Sequence, residues 1–167
     1  LLTQNLKARG YSDPLISRAI DQLKKAAAVS AGHGLYEANR EVYELLRYGV
    51  KVKPSVSDPT VTVWLIDWND PNANHFVVAE EVTVLGQHTK RPDVVLYVNG
   101  IAFATIELKR SYVGVSEGIR QTLGNQDKQF IRPFFSTVQL VFAGNDVEGL
   151  RYGVIDTPEE YWLAWKE

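Results

Sequence analysis

The chain has 167 residues, of which 45% are apolar and 23% are charged, and these values are ordinary for a single globular domain. The composition excludes a disordered or collagen-like chain, and the absence of cysteine excludes a disulfide framework and a thiolate zinc site. The net charge of −2 disfavours a uniformly basic nucleic-acid-binding protein but allows a local basic patch. No apolar run approaches the ~18–20 residues of a membrane helix, so we expect no membrane partner and a cytoplasmic protein. A chain that lacks methionine and starts at Leu1 is expected to be a fragment of a longer protein.

The first 49 residues are predicted to be helical. Asp13-Pro14 is typical of a helix N-cap followed by proline at the first helical position. Apolar residues then recur at helical spacing at positions 15, 16, 19, 20 and 23. Glycines flanking His33 predict the end of that helix, and Gly49 predicts the end of a second one.

From Val50 onward the apolar period changes toward two, which is typical of strands. Strands are predicted over residues 61–66, 76–85, 93–98, 101–108, 138–142 and 150–155, with a loop over residues 67–74. A helix is predicted from Val115 to Phe130, with Ser116 as a candidate cap, and the tail over residues 157–167 is expected to be helical. This order predicts an α/β or α+β domain with a mixed sheet.

Two carboxylates and a lysine stand at the ends of one predicted hairpin, as Pro92-Asp93 and then Glu107-Leu108-Lys109. The apolar strand over residues 101–106 that ends in Glu-x-Lys makes those charges costly unless they have a function. Carboxylates without histidine or cysteine suit Mg²⁺ or Mn²⁺, and a lysine nearby can orient an attacking water. The pattern therefore predicts metal-assisted phosphodiester hydrolysis. The plain alternative is an exposed salt bridge between Glu107 and Lys109 or Arg110.

The hairpin turn at Asn99-Gly100 gives this hypothesis a geometric test. A strict two-residue turn in a regular ladder would leave Asp93 and Glu107 on opposite faces. A three-residue loop with Gly100 as a bulge would shift the register by one residue and place both acids on one face as diagonal neighbours, roughly 7–8 Å apart. The metal-site hypothesis therefore predicts that bulge, or an equivalent bend at Pro92-Asp93.

Residues 91–111, RPDVVLYVNGIAFATIELKRS, resemble the nuclease core at the amino terminus of the restriction (R) subunit of type I restriction enzymes, a family of PD-(D/E)xK nucleases. The likeness extends to residues 39–52, to residues 118–135 and to the opening NLKARGY. The resemblance implies a restriction-endonuclease-like core, a mixed β-sheet flanked by helices. It also implies one nuclease domain over residues 1–167. That domain would have a helical part over 1–49, a sheet core over 50–155 containing the active-site hairpin 91–109, and a tail over 156–167 leading toward a motor domain.

The resemblance also implies roles for individual residues. Asp93 and Glu107 would be metal ligands together with the backbone carbonyl of Leu108. Lys109 would assist the attacking water, and Gln121 matches a helix glutamine that belongs to the catalytic set of related nucleases.

Two features of the family pattern stay open in this chain. Relatives often carry Gln-x-x-x-Tyr, but Asn125 stands at the fourth position after the glutamine. A further acidic ligand often comes from an early helix, and Glu37, Glu41 or a residue upstream of Leu1 could fill that role. Basic residues near the proposed site are expected to contact phosphates, unless they only form a solvated face: Lys90, Arg91, Lys109, Arg110, Arg120 and Lys128.

The resemblance implies a type I site-specific deoxyribonuclease that cuts double-stranded DNA with Mg²⁺, or with Mn²⁺. Cleavage would follow ATP-driven translocation by a motor domain of the same subunit, and ATP would be bound by the full-length subunit but not by this region. Methyltransferase and specificity subunits would be the partners. The alternatives are a non-catalytic DNA or protein docking module on the same fold, and a repair or recombination nuclease with the same core.

Overall fold

The computed structural model describes residues 1–55 and 57–166. Four helices are formed by these residues, and the first three precede every strand, as the sequence pattern predicts. Their bounds are α1 Leu2–Ala8, α2 Asp13–Ala26, α3 Leu35–Tyr48 and α4 Val115–Asn125. Among the described residues, no helix is both long and apolar enough to cross a membrane.

The strands form a six-stranded mixed sheet and a separate antiparallel pair. The sheet follows the order β3-β4-β5-β6-β7-β8, in which only the β5–β6 pair is parallel. The strand bounds are β1 Val50–Val52, β2 Val61–Val63, β3 Phe76–Glu80, β4 Val94–Val98, β5 Ile101–Leu108, β6 Leu140–Asn145, β7 Gly149–Gly153 and β8 Leu163–Ala164. The chain is thus an α+β fold consistent with a restriction-endonuclease-like core, which confirms the predicted fold class.

The amino-terminal helices and the small sheet share one apolar core, built on the helical spacing read from the sequence. Gly49 ends α3 with a φ of +74°, a left-handed conformation that favours glycine. The predicted N-cap is wrong by one residue, because Ser12 occupies that position and Asp13 is the first helical residue. The Asp13 carboxylate pairs instead with Lys7 of α1, 2.7 Å away.

A second core lies between α4 and the central strands of the large sheet. Gly118 allows the close approach, since a Cβ at this position would lie 3.1 Å from the Ala143 Cβ and 3.4 Å from the Lys109 Cγ. This contact sets the α4 face that carries Gln121 against the end of β5. The packing of one small residue therefore positions the helix over the candidate site.

Several predicted boundaries are wrong, and three of the differences have a clear local cause. Strand β3 ends at Glu80 because Glu81 takes a φ of +51°. Helix α4 ends at Asn125, five residues before Phe130, because the Asn125 carbonyl turns to accept the Ile131 N–H. Ser116 does not cap α4: Gly114 is the N-cap residue, and a Glu148 oxygen accepts the Val115 N–H. Elsewhere β2, β6 and β7 occupy residues 61–63, 140–145 and 149–153 instead of the ranges predicted.

The prediction of a helical tail over residues 157–167 is wrong for residues 157–166, and Glu167 lies outside the described residues. The tail forms a short 3₁₀ turn over Glu159–Tyr161 and then β8, which extends the sheet edge. Trp162 is buried, and its indole N–H donates to the Thr157 carbonyl. Trp165 packs edge-on against Tyr152 of the sheet. The two tryptophans therefore dock the tail onto the core, and unpaired backbone groups at the sheet edge favour a strand there over a helix.

Candidate active site

The hairpin between β4 and β5 is closed by a two-residue turn. Val98 pairs with Ile101, and the intervening Asn99 and Gly100 have φ values of +54° and +87°, as type I′ turns require. The Asn99 side chain is buried, accepts the His75 N–H and donates to the Leu65 carbonyl. The predicted three-residue loop is therefore wrong, because tertiary hydrogen bonds hold Asn99 in the tight turn.

The register shift that the metal-site hypothesis requires occurs farther along the ladder. It lies between Leu96 and Tyr97, where Phe103 of β5 has no opposite residue on β4. This is a β-bulge, with the extra residue on β5 instead of at the turn. The Phe103 side chain packs against the amino-terminal core, which favours the bulge at this position.

The bulge places the two carboxylates on the same face of the sheet. Beyond it Val94 pairs with Ile106, and one further step in that register sets Asp93 directly opposite Glu107. The expectation of a shared face is confirmed, although the acids are direct neighbours instead of diagonal ones. This face is the one that α4 covers.

Glu107 is buried, with 1% of its surface exposed, and amide groups from α4 fix its carboxylate. Gln121 Nε2 donates to Glu107 Oε2 at 2.7 Å, and Asn125 Nδ2 donates to Oε1 at 3.3 Å. Lys109 Nζ donates to Gln121 Oε1 at 2.6 Å. A chain of hydrogen bonds therefore runs from the Lys109 ammonium through the amide of Gln121 to the buried acid.

Asp93 is held beside Glu107 by the backbone, since its Oδ2 accepts the Leu108 N–H at 2.8 Å. Burial, together with the negative charge of Asp93, raises the pKa of Glu107 from 4.5 to about 8, although the positive charges of Lys109 and Lys90 oppose the rise. Without a cation, Glu107 therefore carries a proton at neutral pH. A divalent cation between the two carboxylates would take the place of that proton.

The donor set at this point fits Mg²⁺ or Mn²⁺. Two carboxylates and the Leu108 carbonyl offer only hard oxygen atoms, and Mg²⁺ is commonly held by one or two carboxylates plus water and substrate phosphate. Within residues 1–55 and 57–166, no three His, Cys, Asp or Glu side chains are grouped so that they could hold a metal. The structure therefore does not bring Glu37 or Glu41 to the pair, and Glu41 lies instead 3.3 Å from His33.

Asn125 is the residue of this site that the sequence analysis did not select. It is 3% exposed and contacts the buried acid one helical turn after Gln121. The signal was available, because residues four apart share a helix face. The asparagine that departs from the family pattern thus occupies the place next to Glu107.

An α+β domain whose central hairpin sets Asp93 beside buried Glu107 is a restriction-endonuclease-like domain. The chain belongs to the family described as type I restriction enzyme R protein N terminus, whose family model matches residues 1–160. This membership confirms the resemblance found in the hairpin segment. It supports a nuclease role related to restriction.

One curated relative is similar over part of the chain. It is named "Putative type I restriction enzyme MjaIXP endonuclease subunit" and comes from Methanocaldococcus jannaschii. The two sequences are 38% identical over 73 residues, an alignment that covers 40% of this chain and 7% of that protein. The chain thus spans a small fraction of the length of its relative.

Proposed function

We propose that this chain is the endonuclease domain of a type I restriction enzyme R subunit and that it hydrolyses phosphodiester bonds of double-stranded DNA with Mg²⁺. The single observation that carries the proposal is the placement of Asp93 directly opposite buried Glu107, with Lys109 two residues further along the same strand end. A structural salt bridge would not need two carboxylates side by side. Two negative charges on directly opposite strand residues are unfavourable unless a cation or a proton lies between them.

Asp93, Glu107 and the Leu108 carbonyl would hold the cation, which when bound supplies Lewis-acid stabilisation of the phosphate and lowers the pKa of a bound water. The Lys109 ammonium would orient the attacking water and stabilise negative charge that develops on the phosphate. The remaining contacts have a positioning role. Gln121 fixes both Lys109 and Glu107, so one amide couples the group that orients water to the group that binds metal.

Family membership supports a specific setting for the reaction. We propose that cleavage follows ATP-driven translocation by a motor domain of the same subunit, in a cytoplasmic complex with methyltransferase and specificity subunits. The match to the R protein amino terminus and the relative's description as an endonuclease subunit support this proposal. The described residues contribute the hydrolytic site to that assembly.

The proposal is tested by metal binding that depends on the acid pair. Mn²⁺ bound to the chain would be measured by electron paramagnetic resonance for the wild type and for Asp93→Asn and Glu107→Gln. Each substitution removes one charged ligand, so we expect binding to weaken at least tenfold. Glu41→Gln is the matched control, because this exposed acid lies beside His33. Equal Mn²⁺ affinity in all four proteins would contradict the proposal and favour a docking module.

A further inference from the structure

The basic residues around the site differ in how their charges are balanced. Arg91 lies 3.4 Å from the Glu81 carboxylate, and Arg120 pairs with Glu117 at 2.7 Å and with Glu159 at 2.9 Å. These guanidinium groups already have anionic partners on the protein. Their charge is therefore only partly available to a phosphate.

Lys90 is held in a different way. Its Nζ lies 3.9 Å from the centroid of the Phe130 ring, and the residue is half-buried. In the part of the chain that the structure describes, none of the ion pairs involves Lys90. An aromatic face attracts an ammonium but does not neutralise it. Lys90 is thus positioned while its charge stays available.

The loop that carries Lys90 is fixed at both of its ends. Val84 and Lys90 exchange two backbone hydrogen bonds, of 2.9 and 3.1 Å, and the His88 N–H donates to the Gln129 carbonyl at 3.0 Å. Gly86 packs directly on the Phe130 carbonyl, where a side chain would clash. The ammonium is therefore presented by a clamped segment that ends three residues before Asp93.

With a divalent cation bound, the net charge of the site would be balanced by two phosphate charges. The carboxylates of Asp93 and Glu107 balance the ammoniums of Lys90 and Lys109, and a bound divalent cation would then add two positive charges. The phosphate being cleaved would supply one negative charge. A neighbouring phosphate of the same strand would supply the other.

We propose that Lys90, held over the ring of Phe130, binds the DNA phosphate next to the one being hydrolysed, on the Asp93 side of the site. This inference rests on the proposed nuclease function and specifies how the site holds its substrate strand. Lys90 would bind the strand and fix its position along the site. Asp93, Glu107 and Lys109 would act at the phosphate that is hydrolysed. The positive charge of Lys90 lowers the pKa of Glu107, which agrees with a position of the ammonium near the acid pair.

The test is the salt dependence of DNA binding by the full-length protein. A short DNA duplex would be titrated in Ca²⁺, at salt concentrations from about 50 to about 200 mM. Loss of one phosphate contact lowers the slope of log K against log[salt] by about one. Between those concentrations the wild type should therefore lose about three- to fourfold more affinity than Lys90→Gln.

Two further variants make the result specific to the charge at position 90. Arg91→Gln is the matched control, and it should keep the wild-type slope because Arg91 already pairs with Glu81. Lys90→Arg retains the charge and should restore the slope. The proposal is overturned if the slope of log K against log[salt] for Lys90→Gln equals that of the wild type. It is also overturned if Arg91→Gln reduces the size of that slope as much as Lys90→Gln does, or if the slope for Lys90→Arg stays reduced.

Failure of this inference can be separated from failure of the proposed function. Contacts made by other parts of the protein add equally to every slope, so they cancel in the comparison of variants. A wild type that cleaves DNA while Lys90→Gln keeps its slope would overturn only the role of Lys90. A wild type that neither binds Mn²⁺ nor cleaves DNA would overturn the nuclease proposal itself.

Discussion

Metal binding at the acid pair should compete with a proton on Glu107. Burial and the charge of Asp93 raise the pKa of Glu107 to about 8, so below that pH a cation must displace the proton. Above that pH both carboxylates are ionised and the competition ends. The apparent affinity for Mn²⁺ or Mg²⁺ should therefore rise with pH and then level off, although a carboxylate with its ordinary pKa of 4.5 would show no change in this range.

The size of the effect follows from the pKa. About one tenth of Glu107 is ionised at about pH 7, and about one hundredth at about pH 6. Relative to about pH 9, the apparent dissociation constant should thus increase about tenfold at about pH 7 and about ninetyfold at about pH 6.

Isothermal titration calorimetry measures this directly. Titrations in buffers of different ionisation enthalpy give the number of protons released, which should approach one per metal at about pH 6 and fall toward zero at about pH 9. Glu41→Gln should show the same profile as the wild type, because Glu41 lies away from the pair. A dissociation constant that stays unchanged over this pH range, with no proton released, would refute the reasoning.

Three further predictions concern the residues that build the site. In EDTA the favourable protonation of Glu107 is fully present below pH 4.5 and is lost as pH rises through about 8, so the wild-type melting temperature should fall toward pH 9. Glu107→Gln should flatten that fall in calorimetric scans, and an equal fall in both proteins would contradict the assigned pKa. Gln121→Ala removes the amide that positions both Lys109 and Glu107, so cleavage should drop about 10–100-fold. Unchanged cleavage would contradict this coupling. Gly118→Val would press on Ala143, and chemical denaturation should show a loss of about 1–3 kcal/mol, whereas unchanged stability would mean that α4 can move away.

The placement of Glu107 and Lys109 on one face could be predicted from the sequence because it depends on local spacing. An apolar strand that ends in Glu-x-Lys places Glu107 and Lys109 on one face whatever surrounds it. The position of the bulge that brings Asp93 to the same face could not be predicted from the sequence. It depends on where Phe103 packs and on the bonds that Asn99 makes to distant backbone, and both are tertiary contacts.

The same distinction holds for the fold. The helices were predictable from the 3.6-residue period of their buried faces, which includes Leu15, Ala19 and Leu23. The tail was not predictable, because its two tryptophans fit a helical period equally well. The sheet edge that pairs with Leu163 exists only in the folded protein.

The most direct test of the central claim is Mg²⁺-dependent cleavage of supercoiled plasmid by the full-length subunit, reconstituted with methyltransferase and specificity subunits and ATP. Wild type would be compared with Asp93→Ala, Glu107→Ala and Lys109→Ala, while ATP hydrolysis is followed in the same reactions. The account predicts that cleavage disappears in all three variants and that ATP hydrolysis persists. Cleavage at the wild-type rate in all three would contradict it.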